Sequence, residues 1–323
     1  MIQMTTAYPA AAIERDQWIV SQRPRRNELD PQRPYAFFVE DERGAEGAIV
    51  PAATVLLTNR ECPWRCVMCD LWKNTLTEAV PVGAIPAQIA YALAQLPPAQ
   101  VIKLYNSGSF FDARAIPVDD YPAIAARVKS FERVIVECHP SLVSERCLAF
   151  RDLLNGKLEV AMGLETAHPG VLDKLNKRMT LDQFAQAADF LREHEIDLRV
   201  FILVQPPFMP AGESLHWARR SLDFAFDCGA TAAVLIPTRG GNGAMEALAE
   251  NEDFTPPQLK VVEKAMDYGQ NLRRGRVFVD MWDLRHALGC SSCHAARIVR
   301  LQAMNLQQAV LSSIICEQCG DAN

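Results

Sequence analysis

From residue 53 onward the chain alternates two hydrophobic patterns. Short apolar runs rich in β-branched residues stand at "ATVLLT" (53–58), "VIKLYN" (101–106), "RVIVEC" (133–138), "LEVAMGLE" (158–165), "LRVFILV" (198–204) and "TAAVLIP" (231–237). Between them, apolar positions recur every three or four residues at 84–96, 121–131, 144–154, 181–195, 214–229 and 256–272. The runs predict six strands and the periodic stretches predict helices. Thr180 followed by Gln183 is a capping box, which marks the start of the helix at 181.

Strands separated by crossovers of this length pair in parallel, with each helix laid on a sheet face. Runs such as "VFIL" and "AVLI" are apolar at every position, as expected of a sheet covered on both sides. The class is α/β. Six such units either curl into a partial barrel or lie open as a doubly wound sheet, and periodicity alone leaves both open. In either form the functional loops follow the C-terminal ends of the strands.

The flanks break this rhythm. Residues 1–50 read as an N-terminal arm, with "QRPRRNELDPQRPY" rich in arginine and proline. Residues 51–275 form the main body, and 276–323 a separate C-terminal segment rich in cysteine. There is no internal repeat or low-complexity tract.

Composition adds bounds. The 323 residues are 49% hydrophobic and 22% charged, as in an ordinary soluble globular protein. A net charge of −6 argues against a protein that grips long nucleic acid chiefly through its phosphates. The N-terminus lacks a basic start followed by a long apolar core, so no signal peptide is expected. No apolar run approaches the ~20 residues of a membrane span. A reducing cytoplasm is therefore expected, where clustered cysteines bind metal rather than form disulfides. Seven of the ten cysteines are clustered; Cys138, Cys147 and Cys228 stand apart and read as small apolar core residues.

The first cluster carries the most chemistry. Cys62, Cys66 and Cys69 stand in "NRECPWRCVMCDLW", directly after the first predicted strand. A C-x3-C-x2-C loop offers three thiolates to a [4Fe-4S] cubane and leaves its fourth iron without a protein ligand. An open iron of that kind is what binding and cleaving S-adenosylmethionine requires. A zinc site is the competing reading, but zinc usually takes paired C-x2-C knuckles and a fourth ligand.

Other candidates sit on the same predicted rim. Ser107, Gly108 and Ser109 follow the second strand, where glycine allows close backbone approach to a ligand. Glu137 ends the third strand and Glu165 the fourth, each placed to accept hydrogen bonds from a bound nucleoside. Lys177 and Arg178 are positioned to meet a carboxylate. Gln205 precedes two prolines that hold an extended path. Arg239 and Asn242 flank the glycines 240, 241 and 243 in a loop that lacks the Lys-Ser/Thr of a phosphate loop.

The late cysteines form two knuckles, Cys290-x2-Cys293 and Cys316-x2-Cys319. Such a pair predicts a four-thiolate metal site, either zinc or a second iron–sulfur cluster. His294 stands beside it as a substitute ligand. The site is expected to hold the C-terminal segment against the main body.

Taken with "NSGSFFD", "GLET" and "QPPF", the first cysteine motif resembles the radical S-adenosylmethionine superfamily. Residues 50–250 resemble the branch that contains the Elongator catalytic subunit, and within it the archaeosine synthase β-subunit group. The resemblance implies a partial (β/α)6 barrel, a [4Fe-4S] cluster on Cys62, Cys66 and Cys69, and methionine chelated to the open iron. It also places Ser107, Gly108 and Ser109 near the methionine amino group, Glu165 near the ribose or methionine end, and the loop after Val204 near adenine. Ser-Gly-Ser replaces the superfamily's usual Gly-Gly-Glu after the second strand. The group acts on a lysine-bearing deazaguanine base in tRNA; a reducing partner such as a flavodoxin or ferredoxin is expected for this chain.

Two substrates are thus in view. A modified tRNA nucleobase is favoured by the resemblance and by Arg23, Arg25, Arg26 and Arg33 of the arm; a small metabolite or peptide is favoured by the acidic balance. A non-catalytic metal-binding interaction protein is the reading from another class.

Overall fold

The computed structural model describes residues 7–282, 284 and 287–319. In chain order, helix α1 (Ala12–Gln22) and strand β1 (Ala36–Arg43) come first, then β2 (Ile49–Leu56), α2 (Ala84–Leu93), β3 (Val101–Tyr105) and α3 (Tyr121–Val128). They are followed by β4 (Arg133–Cys138), α4 (Glu145–Arg151), β5 (Lys157–Glu165), α5 (Pro169–Lys174), α6 (Leu181–Glu193), β6 (Asp197–Val204) and α7 (Ser214–Asp227). The chain ends with β7 (Ala232–Pro237), α8 (Ala244–Glu250), α9 (Leu259–Leu272), β8 (Arg276–Val279) and α10 (His294–Gln307). The capping box at α6 forms as expected: Gln183 N–H donates to Thr180 Oγ1 at 3.2 Å, and Thr180 N–H to Gln183 Oε1 at 3.0 Å.

The eight strands of the described residues join one sheet, in the order β1 to β8. From β2 to β8 every pairing is parallel; only β1 runs antiparallel, against β2. A doubly wound sheet reverses its strand order at a switch point. Here each crossover moves the chain one strand further the same way, so the sheet curls into a half barrel. The six predicted strands are β2 to β7. The two flanks contribute more than an arm and an appendage, because each adds an edge strand.

The outer face carries the main core, with Val55, Ile102, Leu104, Val134, Val160, Val200 and Leu235 packed under the helices. The inner face departs from the expectation of apolar strands on both sides. A small apolar patch (Ala52, Val101, Ile135, Ala161) is joined there by a buried set of charges. Fully buried Glu159 accepts hydrogen bonds from Arg133 (3.1 Å), Arg199 (2.6 Å) and Arg276 (3.2 Å). Glu42 accepts from Arg199 (2.6 Å) and Lys103 (2.5 Å). Burial alone would raise the Glu42 carboxyl, but Arg199 and Lys103 hold it far below the usual range. Removing one partner from such a set costs about 3–5 kcal/mol, since a buried charge is left uncompensated.

Helix α10 lies between the two sheet edges. Its Asn305 side chain pairs with both backbone groups of Val279, and Gln308, just past its end, does the same for Val277. The amides thus stand in for a ninth strand and satisfy the exposed edge of β8. On the other side, Leu306 O accepts from Arg43 of β1. Among the described residues, no helix is long and apolar enough to cross a membrane.

Candidate active site

A cavity of about 1000 Å³ opens at the C-terminal ends of the strands. Cys62, Cys66 and Cys69 all line it, on the loop that leaves β2. This loop is fixed from several directions. Glu61 accepts from Arg23 (2.8 Å), Arg26 (2.5 Å) and Arg65 (3.0 Å). Asn242 donates to Val67 O (2.8 Å) and Cys69 O (3.1 Å), and its own Oδ1 caps α8 through Met245 N–H. Asn176 donates to Arg65 O at 2.8 Å, and Val67 N–H to Leu175 O at 3.0 Å. Val67 and Met68 pack with Trp18, Ile19, Leu175 and Met245, which binds the arm and α8 to the loop. Trp64 stacks on His139 at 3.7 Å between ring centres and 8° between planes. His139 stays neutral, because burial and nearby Lys177 depress its pKa to about 3.

Three soft donors on one rigid loop suit a cubane with an open corner. Burial pushes each of the three thiols up to about 12, so they are protonated until a metal displaces the protons. Gly108 faces Cys62 so closely that a Cβ would lie 3.3 Å from the Cys62 Cβ, so the loop after β3 passes tight against the cysteine loop. The residues fit the group.

Strand ends around the cavity share an unusual backbone. Ser107 (φ 55°), Glu165 (φ 64°) and Gln205 (φ 59°) lie at or just after the ends of β3, β5 and β6 in the left-handed region. Non-glycine residues there are uncommon and gather at functional sites.

The predicted residues divide in two groups. Ser107, Gly108, Glu137, Glu165 and Arg239 line the cavity together with the three cysteines. Glu137 Oε2 accepts the N–H groups of Asn106 (2.8 Å) and Ser107 (3.1 Å), so it shapes the loop after β3. Desolvation pushes its carboxyl up to about 7. Glu165 pairs with Lys177 at 2.7 Å, both side chains about 10% exposed. Gly163 makes room for this pair, since a Cβ there would meet Glu165 Oε1 and lie 2.6 Å from Lys177 Nζ. Arg239 reaches Asp70 at 3.2 Å.

Ser109, Arg178 and Gln205 do not line the cavity. The Ser109 hydroxyl is turned to Cys138 and accepts from His139 N–H. Arg178 binds Ala12 O and Asp16 of α1, and Gln205 donates to Met209 O. Each is taken up in holding backbone. Of the Lys177–Arg178 pair, Lys177 is the one that faces inward.

Sequence reasoning passed over Tyr35, Trp64, Lys103 and Arg199, which also line the cavity. Tyr35 hydroxyl meets Ser107 Oγ at 3.1 Å. The charged residues had a signal: Lys103 and Arg199 interrupt strands that are otherwise apolar. Phe38, Tyr105, Phe201, Phe278 and the 56% exposed Trp282 give the cavity an aromatic wall.

No family model matches the chain. It is 26% identical over 291 residues to the archaeosine synthase subunit beta of Methanosarcina acetivorans, covering 84% of each chain. Its fold resembles that of methylornithine synthase (PylB), with a TM-score of 0.52 at 12% identity over 82% of this chain and 74% of that one. It also resembles an N-terminally truncated archaeal Elp3 of Methanocaldococcus infernus, with a TM-score of 0.51 at 13% identity over 68% of this chain and 59% of that one. The three-cysteine loop at the mouth of such a half barrel, the archaeosine synthase β-subunit relative and the shared fold together support the radical S-adenosylmethionine superfamily, and the chain resembles its archaeosine synthase and Elp3 branch.

Proposed function

We propose that this enzyme generates a carbon radical at the Cys62–Cys66–Cys69 loop and takes a hydrogen atom from a modified nucleobase of tRNA held in the cavity. The observation that carries the reading is the placement of three thiols, on one immobilised loop, at the mouth of a cavity of about 1000 Å³. Cys62, Cys66 and Cys69 would hold a [4Fe-4S] cluster, which would supply one-electron cleavage of bound S-adenosylmethionine into methionine and a carbon radical. The electron comes from a one-electron donor of the ferredoxin or flavodoxin kind.

The chain's own residues bind, orient and exclude water. The backbone around Ser107, stiffened by Glu137, would meet the methionine amino group. Lys177, anchored by Glu165, would offer its ammonium to the methionine carboxylate. The rings of Phe38 and Trp282, with Asp41 beside them on the cavity wall, suit a planar base that bears an amine. Holding the reacting C–H against the radical carbon in a closed space is where the rate enhancement arises. The relative is one subunit of its enzyme, so a partner subunit that presents the base belongs to this proposal.

A small metabolite is the second reading, and the arm favours it. Arg23 and Arg26 are committed to Glu61, while Arg25 and Arg33 pair with Glu28 and Asp30. Arg23 and Arg26 are thus engaged in holding the loop, while Arg25 and Arg33 stay exposed. Incubation under reducing, oxygen-free conditions with bulk tRNA, with free nucleosides and with neither separates the two. Enhanced 5′-deoxyadenosine release with tRNA alone, weakened by salt, supports the base in RNA. Enhancement by free nucleosides and none by tRNA supports the metabolite.

A further inference from the structure

We propose that Cys290, Cys293, Cys316 and Cys319 hold a single zinc ion, and that this ion pins α10 across the open side of the half barrel. The geometry separates one ion from a cluster. Zinc–thiolate bonds of about 2.3 Å in a tetrahedron place the sulfurs about 3.8 Å apart. Thiolates on a cubane each take their own iron and stand roughly 6 Å apart. The four ligand atoms here lie within 4.8 Å of one another. Cys290 and Cys316 sulfurs are 3.9 Å apart, and those of Cys293 and Cys319 are 3.7 Å apart. Among the described residues, no other group of cysteine, histidine and carboxylate side chains gathers this tightly. His294 is not needed as a ligand: its Nε2 meets Ala287 O at 3.2 Å.

The surroundings complete the site. Four thiolates leave two negative charges on zinc, and Arg297 stands against them. Its Nε lies 3.1 Å from the Cys293 sulfur and an Nη 4.0 Å from that of Cys319. Arg297 is 5% exposed and also paired with Glu263 of α9. Arg300, one turn on, binds Glu263 and Asp267 and holds the carbonyls of Leu311 and Ser312. The ion, α9 and the last segment are thereby joined at the start of α10. The far end of the same helix satisfies β8, and Ile298, Asn305 and Leu306 line the cavity. Zinc at one end of α10 therefore fixes a wall of the substrate space without touching its chemistry.

The test uses the full chain, purified without oxygen and with its iron retained. Metal analysis should find zinc in a 1:1 ratio to chain. Cys293→Ser should lose the zinc, keep the iron, and speed hydrogen exchange in residues 294–307. Arg297→Gln, which keeps all four thiols, should weaken zinc against a coloured chelator about tenfold. Should Cys293→Ser fold poorly, cobalt exchanged into the unmodified chain should show the intense visible bands of a tetrahedral thiolate site. Loss of iron in Cys293→Ser with zinc unchanged overturns the proposal, as does cobalt without a tetrahedral spectrum. Unchanged exchange in α10 after zinc loss overturns the pinning role. The zinc count stands or falls apart from the iron of the early loop, so failure here leaves the radical reading to its own test.

Discussion

The chain carries two cysteine groups that solve opposite problems. The early trio lines a cavity, and its loop is held by side chains from elsewhere: Arg23 and Arg26 on Glu61, Asn176, Asn242, and His139 stacked on Trp64. The late tetrad gathers its sulfurs to within 4.8 Å and is backed by one arginine, with its role in joining segments. An incomplete ligand set needs a rigid protein frame, because the vacant coordination position is where the chemistry occurs. A complete set supplies rigidity to the protein instead. The difference predicts that damage to the first site removes activity while leaving the fold, and that damage to the second loosens the fold first.

The largest contrast comes from one cysteine in each group. Cys66→Ala should lose the cluster iron and all S-adenosylmethionine cleavage with a melting temperature little changed, whereas Cys316→Ser should lower the melting temperature and retain the iron. Parallel iron analysis and thermal melts measure both. Equal destabilisation by the two would erase the distinction.

Lys177→Met sharpens the picture of the early site. It leaves Glu165 buried without its cation, which should cost about 3–5 kcal/mol in denaturant unfolding. Adding Glu165→Gln should recover much of that stability but not S-adenosylmethionine affinity, and calorimetric binding separates the two effects. Recovery of both would make the pair purely structural.

Asn242→Ala removes two hydrogen bonds to the cysteine loop and the cap of α8. A loss of about 1–2 kcal/mol is expected, with faster oxygen-induced bleaching of the cluster. Bleaching at the original rate would show that the loop is rigid without it.

The smallest effect is one of pH. The folded Glu137 carboxyl titrates near 7 against an ordinary 4.5. Between those values the folded chain binds more protons than the unfolded one, so this group's contribution to stability falls as pH rises and levels off above 7. Glu137→Gln should flatten that part of the stability profile, measured by urea unfolding across the window. An unaltered slope would place its origin elsewhere.

Much of this was legible in the sequence for a physical reason. Strands β2 to β7 are buried in a continuous sheet, so they read as apolar runs, and the Thr180–Gln183 box is a local signal that needs no tertiary context. Strand β1 was hidden because "AFFVEDER" mixes phenylalanine with charges, and those charges pair across the barrel with Lys103 and Arg199. Strand β8 has four residues and is completed by amide side chains of α10, which no local pattern announces. Spacing along the chain exposed the cysteines. It missed Tyr35 and Trp64 as cavity residues, since what places them there is the fold around them. Ser109, Arg178 and Gln205 mislead for the same reason: they stand at the rim in sequence and turn to backbone in space.

The central claim is that the Cys62–Cys66–Cys69 loop starts a radical reaction. It is tested most directly by single-turnover assay of reconstituted, oxygen-free protein with S-adenosylmethionine and a strong one-electron reductant, read by mass spectrometry. Stoichiometric 5′-deoxyadenosine is expected from the unmodified chain and none from Cys66→Ala. Nucleoside release that is absent from the unmodified chain, or equal in the two, would contradict it.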